Sequence, residues 1–365
     1  MRTKILSWVT LAALSAMWLA GCSNNVSTHN AYVTLPTTNR LLAYRIRSNN
    51  GQLTQPFGGS FLTGDSPSSV AIHPNNRWVY VANAGENDIS LFDVDSSSGA
   101  LKEVLPRNPT ALRPSSLAID PGGAFLYVVN LGFNEVSSYS IDASTGALTQ
   151  VAGSPVATGL SPAAIAVTPS GKYVYTPNTN ANSISGYTVN GGALQPMAGS
   201  PFPAGRGPTA IAVDPAEHFI YVTNVADSTI SVLAIDPATG ILSNIVGSPF
   251  NVMQIDNTGT TTGAVSISVD PSGKLLYVAN QIAGNVSFYG VTSVGIPVEL
   301  TGSPFASGVG SNFVVADSIG HFLFVGNQNS HNISVYSFDT TSGALTLNSL
   351  VSTGTVGATS MTIAK

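Results

Sequence analysis

The chain has 365 residues, 43% apolar and only 8% charged, with 36 glycines, 22 prolines, a single cysteine and a net charge of −5. This excludes disorder, which needs low hydrophobicity and high net charge, and a disulfide scaffold, which needs paired cysteines. Thirteen basic against eighteen acidic residues also exclude a general nucleic-acid binder, which needs a basic face for phosphates. The length allows two domains or one large all-β domain.

The first element in chain order is an address. Met1 to Lys4 is short and basic, and Ile5 to Ala20 is uncharged and mostly apolar. That order reads as a secretory signal, too short for a comfortable span, since about 20 apolar residues cross a bilayer. It closes on Leu19-Ala20-Gly21-Cys22. This resembles the bacterial lipobox, which implies cleavage after residue 21 and lipid on Cys22; a retained anchor or an ordinary cleaved signal are the alternatives. A thiol is the nucleophile that thioether attachment needs. A single acyl chain binds membranes weakly, at about 10⁴ M⁻¹, so the resemblance implies several. Residues 22–30 read as the lipidated Cys and a polar tether. Ser23, not Asp, follows the cysteine, which by the same resemblance favours the outer membrane and periplasm. Removing residues 1–21 takes away Arg2 and Lys4, so the mature charge is 11 − 18 = −7.

The remainder, residues 31–365, is a repeat. Tyr80-Val-Ala-Asn83 returns as Tyr127-Val-Val-Asn130, Tyr175-Thr-Pro-Asn178, Tyr221-Val-Thr-Asn224, Tyr277-Val-Ala-Asn280 and Phe324-Val-Gly-Asn327, with asparagine spacings of 47, 48, 46, 56 and 47. Tyr32-Val-Thr-Leu35 is a divergent first copy, making seven. Each copy predicts an apolar strand ending in a turn, the Tyr-Val-x-Asn strand, an alternating third strand, and a fourth leading into Gly-Ser-Pro-Phe, as at Gly199 to Phe202. Four short strands per period of about 45 residues specify a propeller blade. The first copy lacks an innermost strand, and Thr359 to Ala364 matches that missing strand in pattern. The fold expected is an all-β, seven-bladed β-propeller with four-stranded antiparallel blades, closed by the C-terminal strand completing blade one.

Much of the polar inventory has structural work in this reading. Asp95, Asp142, Asp236 and Asp339 each stand four residues before a glycine, where a carboxylate can take hairpin N–H groups. Asp120, Asp214 and Asp270 precede proline in the turn after the first strand. The repeated asparagines suit local bonding and left-handed turns. Pro177 fits a second strand only if its missing N–H faces an unpaired position. Function is expected on the face carrying the loops into the innermost strands. The non-repeated residues there are Asp65, Glu86, Asp88, Arg107, Arg113, Phe133, Glu135, Arg206, Asp227 and His331. Arg113 and Arg206 each precede an innermost strand and could hold a carboxylate or phosphate bidentately. With Glu86, Glu135, Asn130 and Asn224 they form the candidate ligand set. The long spacing before Asn280 places an insertion at Asn251 to Gly263, with Met253, Gln254, Ile255 and Asp256, as a candidate binding loop. No His/Cys/Asp cluster has metal spacing, so no metal or cofactor is expected.

The Tyr-Val-x-Asn copies and Asp-Pro-Ser-Gly turns resemble the lactonase-type seven-bladed propellers, related to 6-phosphogluconolactonases, and the YVTN-repeat propellers of envelope proteins. The resemblance implies fold more than activity, because the shared residues are structural. The enzymes carry His-x-His before one innermost strand, where this chain has Arg113, Pro114 and Ser115. They carry Gly-Pro-Arg-His before another, where Gly207-Pro208 is followed by Thr209 and Ala210, and Asn-Glu, where Asn224 is followed by Val225. His73, His218 and His321 fall in turns or second strands, and His331 has no obvious partner. A lactonase needs a group to activate water and one to stabilise the oxyanion. Two readings follow. One is a non-catalytic envelope propeller, monomeric, binding a glycan, peptide or protein. The other is a lactone hydrolase with a rearranged site around Arg113, Arg206, Glu86 and Glu135. Convergence of those side chains in one pocket separates the two.

Overall fold

A computed structural model describes residues 28–56, 58–252, 263–317 and 321–364. Cys22 with residues 1–27, and Met253 to Asp256 within the long insertion, lie outside the described residues.

Seven antiparallel sheets form a ring of blades. The innermost strands of blades two to seven are Pro67–Ile72, Pro114–Ile119, Ala166–Val167, Pro208–Val213, Ala264–Val269 and Ser311–Ala316. Blade one takes its innermost strand, Ser360–Ile363, from the C-terminus. That strand pairs with Thr28–Leu35, with Val33 opposite Met361, as the missing strand in the first copy requires. This pairing hides two edges that would otherwise be open to other chains. The first strand begins at Thr28, so residues 28–30, expected to lie in a polar tether, are part of blade one. Because second strands run toward the funnel face and innermost strands away from it, both described chain ends lie on the opposite face. There the Ala364 N–H donates to the Asn30 carbonyl at 2.8 Å.

The molecule has no single core. Seven apolar clusters each fill the gap between two neighbouring blades. Second strands are apolar on both faces for this reason. Trp78, Tyr80 and Ala82 pack toward blade three, while Val79 and Val81 pack toward blade one. In all blades but the second, the glycine of the hairpin between third and fourth strands lies against the residue that leads the preceding blade's second strand; in blade two, Gly99 lies on Asn30. A Cβ on Gly146 would stand 2.8 Å from the Trp78 ring, and one on Gly295 would stand 2.7 Å from the Phe219 ring.

The turn carboxylates act as expected. Asp142 Oδ1 accepts the Ser144 and Thr145 N–H groups, and Asp236, Asp95 and Asp339 repeat the pattern. Asp214 accepts the N–H groups of His218 and Phe219, and Asp270 those of Ser272, Lys274 and Leu275. The Gly-Ser-Pro segments break the outer strand, and the serine replaces the missing ladder acceptor: Ser154 Oγ accepts the Ser138 N–H at 2.7 Å and Ser248 Oγ the Val232 N–H at 2.9 Å. Pro177 leaves its mark on blade four. Its innermost strand is cut to Ala166–Val167 with an isolated bridge between Pro162 and Asn178, because Pro177 has no N–H to give it.

Candidate functional site

The funnel face is built on the repeated asparagines, which are strand residues rather than left-handed turn residues. Each is fully buried. Asn224 Nδ2 donates to Thr229 and Ser231 at 2.9 Å, and Asn130 Nδ2 to Ser137 at 2.8 Å while its Oδ1 accepts from Thr110. These bonds pin the second strand to the third. The Asn130 amide is bonded on both sides, whereas the buried Asn224 Oδ1 has no partner among the described residues.

The left-handed asparagines stand four residues further on. Asn39, Asn87, Asn134 and Asn182 have φ of 55°, 60°, 55° and 51°. Each side-chain oxygen accepts an N–H from the loop entering the next blade's innermost strand: Ser66 at 3.0 Å, Arg113 at 2.8 Å, Ser161 at 2.7 Å and Gly207 at 2.9 Å. The same turn positions in blades five to seven hold Ser228, Gly284 and His331, which have no amide. His331 takes that left-handed turn position with φ of 51°. The receiving residue is left-handed too, and Arg113 has φ of 55° there. Its side chain is exposed and makes no ion pair among the described residues.

The other candidates sit in separate blades. In blade two, Arg107 Nη1 meets Glu86 at 2.5 Å and lies 4.0 Å from Asp88, while its Nε donates to Glu103 at 2.7 Å. Asn83 and Ser90 extend this network, bonding Asp88 at 2.7 Å and Glu103 at 2.9 Å. Burial, followed by the carboxylates of Glu86 and Glu103, pushes the Asp88 carboxyl above its ordinary value, against the pull of Asn83 and Arg107. Glu135 opens the third strand of blade three, and burial raises its carboxyl as well. Arg206, in blade five, has its Nη1 3.8 Å from Asp227 Oδ1 with a side chain 75% exposed. Glu86 is thus engaged in blade two, and Arg113 and Arg206 are separated by the whole of blade four. The structure does not bring the candidate set together.

The mouth of the central channel is instead neutral. Its cavity of about 260 Å³ is lined by serine, threonine, asparagine and apolar side chains, among them Ser68, Ser115, Asn312 and Thr359, with no titratable group among the described residues. Part of this hydroxyl lining is structural. Innermost strands carry a free edge, and hydroxyls from the preceding blade satisfy it: Ser69 Oγ accepts the Leu117 N–H and Ser266 Oγ the Val314 N–H, both at 3.1 Å. Asn312 is the residue that the sequence reading missed. Its Nδ2 donates to the Ala358 carbonyl at 2.6 Å, while its buried Oδ1 has no partner among the described residues. The signal available was an asparagine where the other blades carry Ser, Thr, Ala or Val.

Among the described residues, no group of three or more His, Cys, Asp and Glu side chains could hold a metal ion, and no helix is long and apolar enough to cross a membrane. His73 is structural: its Nε2 bonds the Gly123 carbonyl at 2.8 Å and its Nδ1 accepts the Asn75 N–H.

A closed ring of seven four-stranded blades around a neutral channel defines the class as a seven-bladed propeller. The chain belongs to the lactonase family of these propellers: the family model described as "Lactonase, 7-bladed beta-propeller" matches residues 24–161 and 164–358. Among solved structures, a Bacteroides fragilis protein provisionally called a 6-phosphogluconolactonase superposes with a TM-score of 0.81 at 19% identity, covering 94% of this chain and 99% of that one. A periplasmic gluconolactonase of Pseudomonas aeruginosa gives 0.79 at 20% identity, covering 93% and 99%. Hydrazine synthase of Kuenenia stuttgartiensis gives 0.62 at 16%, covering 85% and 95%. At these identities the likeness shows the fold alone. No curated protein matches the chain.

Proposed function

We propose that this protein is a binding propeller of the cell envelope, held to the membrane by lipid on Cys22, that takes an uncharged glycan or peptide at the funnel face. The observation that carries this reading is the neutral mouth. Lactone hydrolysis needs a base and an oxyanion donor within reach of one carbonyl, and Arg113, Arg206, Glu86 and Glu135 are dispersed over three blades. The Asn312 Oδ1 bordering the mouth suits a hydroxyl or amide donor from a ligand. Leu112, Phe133 and Leu160, exposed on the loops of blades three and four, suit its apolar faces. Export also separates the protein from cytoplasmic sugar phosphates. The lipid and the funnel fall on opposite faces, because blade one begins at Thr28 on the far side. Five residues, 23–27, span at most about 18 Å, so the funnel faces outward, toward the periplasm if the anchor is in the outer membrane.

The test uses the mature chain with Cys22→Ser. Proton release is followed against a lactone panel that includes 6-phosphogluconolactone, and binding is screened on a glycan array. The expected result is hydrolysis at the spontaneous rate and a glycan signal that weakens in Asn312→Ala. Enzymatic turnover abolished by Arg113→Ala or Arg206→Ala would establish the hydrolase instead. Fractionation of wild type against Cys22→Ser tests the anchor: the wild type should stay with membranes and the variant should be released.

A further inference from the structure

The outer strand of each blade leaves a free sheet edge among the described residues, and in six blades that edge is broken or charged. Blades three to six carry Gly-Ser-Pro there, and none of their outer strand pieces exceeds four residues. Blade one is cut likewise, into Leu53–Thr54 and Ser60–Leu62. Blade two keeps a nine-residue strand, Leu101–Pro109, but it holds Lys102, Glu103, Pro106, Arg107 and Pro109. Short lengths, charges and prolines are the features that keep sheet edges from pairing with other chains. Blade seven has none of them. Its outer strand, Leu345–Ser352, runs eight residues without a charge or a proline, and the sequence carries no charge from Thr340 to Ala364. Leu347 and Leu350 are 50% and 60% exposed on it.

The register makes this edge complementary to itself. The Thr353 N–H donates to the His331 carbonyl, and the Asp339 N–H to the Ala344 carbonyl. Counting inward from these two bonds, ladder alternation turns the backbone N–H and C=O groups of Leu345, Leu347, Leu350 and Ser352 away from the third strand. The interval of three between Leu347 and Leu350 is a bulge: Val335 pairs with Ser349 and Tyr336 with Leu347, so Asn348 is the extra residue. Asn348 Nδ2 donates to the Asn50 carbonyl of blade one at 3.2 Å, which holds the bulge in place. The four outward residues are therefore symmetric about the point between Asn348 and Ser349. A two-fold axis there sets Leu345 against Ser352 of a second copy and Leu347 against its Leu350, with each outward N–H facing an outward C=O. Leu347 stands opposite Tyr336 and Leu350 opposite Ser334, two positions on one face of the sheet, so the four leucines of such a pair meet on that face and no charge is buried. We infer that two copies of this chain dimerise by antiparallel pairing of their blade-seven outer strands, in place of the monomer that the sequence suggests.

The test is analytical ultracentrifugation of residues 22–365 with Cys22→Ser, which hold the complete propeller. One strand pair is a small interface, so a weak dimer is expected, with a Kd of about 10 µM. Leu347→Lys/Leu350→Lys sets lysines opposite one another and should raise that Kd by about 100-fold. Leu347→Glu/Leu350→Glu should do the same, and an equimolar mixture of the two variants should dimerise again, because every lysine then faces a glutamate. That rescue separates loss of the contact from misfolding. Val246→Lys, at a residue of blade five that is 92% exposed, should leave the Kd unchanged. A chain that stays monomeric at about 300 µM would overturn the proposal and leave the edge to an extended peptide of another protein. A dimer that survives the paired lysines, or charge variants that fail to recombine, would overturn it as well.

Discussion

Arg113 shows how a residue can look functional for a backbone reason. Its N–H is held by Asn87 and its φ is 55°, a conformation that costs a non-glycine residue about 1–2 kcal/mol. Equivalent positions in other blades carry Gly207 and Gly310. Arg113→Gly should therefore stabilise the fold by up to about 1 kcal/mol in urea denaturation, net of the greater freedom of glycine when unfolded; a clear loss would mean that the guanidinium has a structural partner. Asp88 makes a parallel case. Blades six and seven place Asn285 and Asn332 where blade two has Asp88, and these accept the same bond from the repeated asparagine at 2.8 Å. Because burial and two neighbouring carboxylates raise Asp88, its charge weakens the fold at neutral pH, and Asp88→Asn should raise the melting temperature at pH 7. The gain should shrink as pH falls through the folded pKa of the wild type. Asn224→Ala removes two buried bonds and leaves two hydroxyls to re-pair, so a loss of about 2–3 kcal/mol is expected by calorimetry.

Legibility differed sharply between elements. The seven Tyr-Val-x-Asn copies made blade number and closure readable, because a repeated apolar strand between two blades has only one use. Side-chain convergence was unreadable, because entry loops of different blades share a sequence pattern but point from different places on the ring. The asparagine latches were also visible at 39, 87, 134 and 182, but their partners lie in the next blade, about 25 residues on. Removing one latch with Asn87→Ala should cost about 1 kcal/mol and raise hydrogen exchange at the Arg113 amide without affecting Ser161. Deleting residues 360–365 should do far more. It strips the innermost strand from blade one and exposes a sheet edge, so the truncated chain should aggregate in size-exclusion chromatography.

At the scale of the whole ring, acid stability is set by charge placement. Hydrogen bonds within the turns hold Asp95, Asp142, Asp236 and Asp339 below the ordinary carboxylate value of 3.8. Their contribution is fully present above that value and disappears as pH falls through the lower folded ones. Asp88 and Glu135 act in the opposite sense, but they are two against four. The melting temperature should stay flat from pH 7 to about pH 5 and drop below about pH 4, and replacing the four turn aspartates with asparagine should flatten that acid limb. The closure of the ring has a mechanical side. If the anchor at Cys22 pulls on the body, the load enters at Thr28 and runs along the axis of the first strand. That strand is clamped by eight residue pairs to Arg40–Arg47 and four to Ser360–Ile363, and its bonds lie across the pull. The tether therefore loads this joint in shear, so the whole set must give way together instead of peeling apart one bond at a time.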